Sequence, residues 1–166
     1  MAFTTSQYSA QFAYRLIDNI QTYLEASTET ALAAIDADLD DFADYRTPTP
    51  IVLNFPALFI STSSSRLEQS DDDSHITGLH EFYIDIAVTG VDTYTLQRTI
   101  LKYVLAVDQC LRTMEVTDMI SGVTSSIGHP IWEVTDHQFG VLAADTTNTI
   151  YRLDARLILV VQLLER

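Results

Sequence analysis

Apolar side chains recur every fourth residue near the amino terminus, at Tyr8, Phe12, Leu16, Ile20 and Leu24, with Gln11, Asp18, Gln21 and Glu25 off that stripe. The spacing predicts an amphipathic helix over 6–25. The helix either continues or restarts after Ser27-Thr28, through ALAAIDADLDDFA. Pro48, Pro50 and Pro56 then exclude a helix interior. From there the period changes to two. PALFISTSS reads as a strand, and GLHEFYIDIAVTG as a longer one with Phe82, Ile84, Ile86 and Val88 on one face and Tyr83, Asp85 and Ala87 on the other. Residues 92–114 return to helical spacing, with Leu96, Ile100, Val104, Val107 and Leu111 as the stripe. Asp92 suits the N-terminus and Arg112 the last turn.

After a loop, TDMISGVTSSIG, HPIWEVTDHQF reads as a third strand, VLAADTTNT as a hairpin connection and TIYRLDARLILVVQLLER as a fourth strand. The mostly apolar LILVVQLL is compatible with a helix, but the alternation in IYRLDARL favours a strand. Tyr151, Leu153, Ala155, Leu157, Leu159, Val161 and Leu163 fall on one face; Arg152, Asp154, Arg156 and Gln162 fall on the other. The expected fold is α+β: a single two-layer domain over 1–166, in the order α-β-β-α-β-β. Its four-stranded, mainly antiparallel sheet carries both helices on one face.

Charge narrows the classes of partner. Nine basic residues stand against twenty-three acidic ones, a formal net charge of −14, which opposes non-specific binding to nucleic acid or anionic lipid. With one cysteine, Cys110, no internal disulfide is expected. The amino terminus lacks the charged-then-apolar pattern of a signal peptide, and no apolar run has membrane-spanning length.

Candidate chemistry is sparse. Asp71, Asp72 and Asp73, with His75 and His80 nearby, could offer oxygen and nitrogen ligands. However, neighbouring residues of an extended chain point in opposite directions, and no glycine turn completes a cation loop. The serine- and aspartate-rich stretch 63–75 reads instead as a long polar hairpin tip. DADLDD, at 36–41, starts like a calcium loop but has Asp41 where glycine is needed and Thr47 where a glutamate is needed. It reads as a solvated acidic helix end. Neither the histidines (His75, His80, His129, His137) nor Ser126 near His129 makes a metal or triad motif. Cys110 and Trp132 read as packing residues. No catalytic residue, cofactor or metal is therefore expected. The remaining cluster is Arg152, Asp154 and Arg156 on one face of the last strand, with Glu81 and Asp85 on a neighbouring one. These charges either pair within the chain or form a polar subunit interface.

The order of elements, with FPALFIS, HEFYIDIAVTG, TLQRTILKYVLAVDQCLR and a final hairpin ending in an apolar strand, resembles the tail terminator and neck family of tailed bacteriophages. The resemblance spans most of the chain and implies a small α+β subunit of a homohexameric ring in the virion, assembled in the host cytoplasm. Such a ring stops growth of the tail tube and joins the tail to the head. Its partners are further copies of itself, the tail tube, the sheath where there is one, and neck or connector proteins. DNA passes through without specific binding, and an acidic tip at Asp71–Asp73 would face the lumen or a neighbour. A reading from a different class is a small metal-dependent hydrolase or ligand-binding α+β protein using Asp71–Asp73 with His75 and His80.

Overall fold

A computed structural model describes residues 5–48, 51–69, 76–114, 131–144 and 149–165. The elements are α1 (Thr5–Ile35), β1 (Ala57–Gln69), β2 (Ile76–Gly90), α2 (Thr93–Thr113), β3 (Ile131–Ala144) and β4 (Thr149–Glu165). The class is α+β, as the change of period predicts. β1, β2 and β4 pair antiparallel with β2 in the middle, and β3 pairs antiparallel along the far edge of β4, giving the order β1-β2-β4-β3.

Register explains the core. Ile60 lies opposite Ile84 on β2, which lies opposite Leu157 on β4; Leu58, Ile86 and Ala155 form the adjacent row. All six are buried, together with Phe82, Val88, Leu153, Leu159 and Val161. Both helices cover this face, α1 through Leu16, Ile20, Leu24 and Leu32 and α2 through Leu96, Ile100, Tyr103, Val104, Val107 and Leu111. Cys110 is buried among them, and burial pushes its thiol pKa up, which suits packing better than chemistry. At the junction of β2 and α2, a Cβ on Gly90 would stand 3.3 Å from Leu96 Cδ1, so the missing side chain lets the helix sit close to the strand end. Asp92 caps α2 by accepting from the Thr95 backbone N–H at 2.9 Å. Among the described residues no helix is long and apolar enough to cross a membrane.

One open alternative is settled and two expectations are corrected. First, of the two readings left open at Ser27-Thr28 the helix continues: α1 runs unbroken, with Thr28 buried and its hydroxyl donating to the Leu24 carbonyl at 2.9 Å. Second, the helix stops at Ile35, so DADLDD is not a helix end but the start of a strap lying against α2. Asp36 pairs with Lys102, the Tyr103 hydroxyl donates to the Asp40 carbonyl at 2.7 Å, and the Tyr45 hydroxyl donates to Asp41 at 2.8 Å while also meeting Thr28. The strap then buries Phe42, and its Asp44 carbonyl accepts from the Leu58 N–H at 2.8 Å. Third, the strands run further into the polar stretches than the sequence suggests. Residues 63–69 belong to β1, paired as far as Gln69 opposite Ile76, and β3 continues to Ala144. Asp71–Asp73, His75 and the loop at 117–128 lie outside the described residues.

Thr28 joins α1 to the strap, so Thr28→Val removes its bonds while keeping its shape. We expect a loss of about 1–2 kcal/mol in urea unfolding, with the helix content of the folded protein unchanged by circular dichroism.

Candidate functional site: the open face of the sheet

The face of the sheet turned away from the helices carries the odd-numbered residues of β2 and the even-numbered residues of β4. The pleat that buries Ile84 and Leu157 therefore places Tyr83, Asp85, Arg152, Asp154 and Arg156 on this side. Asp85 is directly opposite Arg156. The guanidinium makes a two-pronged contact, Nε to Asp85 Oδ1 at 2.6 Å and Nη2 to Oδ2 at 2.9 Å, and lies 4.3 Å from the centre of the Tyr83 ring. Asp85 is only 7% exposed. Such a fork satisfies both oxygens of a carboxylate that would otherwise lose its water without compensation.

Arg152 donates from Nε to Asp154 at 2.8 Å and stands 5.5 Å above the Phe55 ring. Burial raises the Asp154 pKa against the opposing pull of Arg152. Phe55 is held by a small second core, in which Val52 packs on Ala57 and Ala87, themselves opposite one another in the ladder. Two alanines at positions that alternation turns towards water are the sequence signal for this cover. Glu81 shares the face but is four residues, about 13 Å, along the strand from Asp85. It accepts from Ser63 at 2.6 Å. Ser63 is the extra residue of a bulge between Thr62 and Ser64.

Of the five charged residues singled out from the sequence, the structure thus joins Asp85 with Arg156 and Arg152 with Asp154. Glu81 stays apart from both pairs. Along the centre of the same face, Phe59, Tyr83, Ile158 and Val160 are half-buried.

His80 lies on the opposite face, in line with Phe82, and is 0% exposed; its Nδ1 is 3.1 Å from Ser65 Oγ. Burial lowers its pKa from the ordinary 6.5. It is therefore turned into the helix-covered side, away from the charged face. Asp71–Asp73 and His75, its proposed companions, lie outside the described residues. Among the described residues no three of His, Cys, Asp or Glu converge to hold a metal ion.

No protein-family model and no curated protein sequence matches the chain. Among solved structures, a chain from the virion of the native gene transfer agent particle is similar, with a TM-score of 0.36 and 14% identity. The match covers 84% of this chain and 94% of that one.

Two outcomes follow from this geometry. Arg156→Met leaves the Asp85 carboxylate buried without its fork, and we expect a loss of about 1–3 kcal/mol in denaturant. The double variant Asp85→Asn/Arg156→Met should recover most of it. For His80, the unfolded chain takes up a proton near pH 6.5 while the folded one resists it. Its contribution is therefore complete above that pH and is lost as the pH falls below it, at no more than about 1.4 kcal/mol per pH unit. The melting temperature should fall between pH 7.5 and 5.5, and His80→Gln should flatten that slope relative to the native chain.

Proposed function

We propose that this chain is a structural subunit that acts by assembling with copies of itself and with other virion proteins. The observation carrying this reading is how the molecule divides its polar and apolar groups. Several charges of its open sheet face and strap pair within the chain: Asp85 with Arg156, Asp154 with Arg152 and Asp36 with Lys102. It also leaves large apolar side chains in water, including Leu53 at 86%, Ile51 and Val91 at 66% and Tyr94 at 65%. A surface of that kind offers contact area rather than a reactive group.

The finer reading follows the resemblance in element order. In it the subunit is the full α-β-β-α-β-β unit with a four-stranded sheet, and six copies close a ring at the head-proximal end of a phage tail. The ring ends growth of the tube and presents the docking surface for the neck. The net charge of −14 suits a passage through which DNA must move without sticking.

Native mass spectrometry and negative-stain microscopy of the purified chain test this, with and without EDTA. A hexameric mass with annular particles, unchanged by the chelator, is expected. A monomer whose melting temperature falls on chelation would replace this reading with that of a metal-dependent protein.

A further inference from the structure

A surface helix that covers a sheet ordinarily has one apolar stripe and one polar one. α2 has two apolar stripes. Opposite its buried stripe, Tyr94, Arg98, Leu101 and Leu105 follow one another at intervals of four, three and four residues, which places them on a single outer line. Tyr94 is 65% exposed, Leu101 53% and Leu105 47%. The Arg98 guanidinium lies 5.4 Å from the Tyr94 ring centre and has no ion pair among the described residues. The helix thus presents an apolar strip with one cation that no carboxylate among the described residues neutralises.

The opposite side of the same molecule presents the complement. On the open sheet face, Phe59, Tyr83, Ile158 and Val160 are half-buried around the closed Asp85–Arg156 pair, whose guanidinium lies over the Tyr83 ring. On the same face Glu81 meets only a serine hydroxyl, with no cationic partner among the described residues. Arg152 and Arg156, by contrast, are already engaged by carboxylates of their own sheet. The helical layer and the open sheet face point away from each other, so joining one to the other between two copies is a heterologous, head-to-tail contact, the kind that closes a ring.

We propose that the outer stripe of α2, with Tyr94, Arg98, Leu101 and Leu105, docks on the open sheet face of a second copy of this chain, with Arg98 facing Glu81 there. The occupant is a second copy because the two surfaces match in both respects. Each carries apolar side chains, and the helix stripe's cation meets an acid, neither of which has an ion-pair partner among the described residues. In a chain of net charge −14, most copy-to-copy approaches are repulsive, and this one replaces repulsion with attraction. The proposal rests on the self-assembly reading above and specifies its contact.

Sedimentation velocity of the full chain over a concentration series separates the two. The native chain should assemble. Leu101→Glu/Leu105→Glu should shift the assembly midpoint upward by at least about thirtyfold, with an unchanged circular dichroism spectrum because both side chains are exposed in the subunit. Arg98→Glu and Glu81→Arg should each weaken assembly about three- to tenfold, and the double exchange should bring the midpoint back towards the native value. If the two-leucine variant assembles like the native chain, this docking surface is wrong while self-assembly stands. If the exchange shows no recovery, the Arg98–Glu81 contact is wrong. A native chain that stays monomeric throughout overturns both the surface and the reading beneath it.

Discussion

The row Ile60–Ile84–Leu157, and the rows above and below it, constrain everything else in this protein. β2 is an inner strand between β1 and β4, so its even-numbered side chains must find apolar neighbours on both sides as well as beneath α1 and α2. A slip of one residue in either ladder would turn Phe82, Ile84 and Ile86 into water and bring Tyr83 and Asp85 under the helices. The phase that buries the core therefore also decides which charged groups face outward and which of them meet. The Asp85–Arg156 fork follows from the same register as the packing of Ile84.

Most of that phase could be read directly. Alternation in FYIDIAV and IYRLDARL places the inward residues correctly, and the stripe of α2 and its cap at Asp92 follow from helical spacing. The pairing of Asp85 with Arg156 was legible only as one of two alternatives, because alternation gives a residue's face but not its opposite number. That depends on strand order, which places β4 rather than β3 beside β2.

The strap could not be read at all. Asp36, Asp40, Asp41 and Asp44 have the composition of a solvated acidic run, yet each is used locally. Asp36 holds Lys102, Asp41 accepts from Tyr45, and the Asp44 carboxylate accepts from the N–H groups of Arg46 and Thr47, which lowers its pKa. The carbonyl of Asp40, not its side chain, receives Tyr103, whose hydroxyl pKa is pushed up to about 12 by burial first and by the nearby aspartates after it. Backbone acceptors have no signature in composition. Tyr103 itself offered a weak clue, since a phenol on the buried side of a helix needs a partner for its hydroxyl.

The bulge at Ser63 divides β1 into two stretches that obey opposite parity. Before it, Leu58 and Ile60 point to the helices from even positions. Beyond it, Ser65, an odd position, shares the side of His80, while Ser63 turns to Glu81 on the other. A change at an even number thus concerns one side of the sheet in the first half of the strand and the other side in the second. A run of four small polar residues, Ser61 to Ser64, tolerates such a phase change because none of them commits the strand to a side. The serines of this stretch mark the place where the strand changes sides.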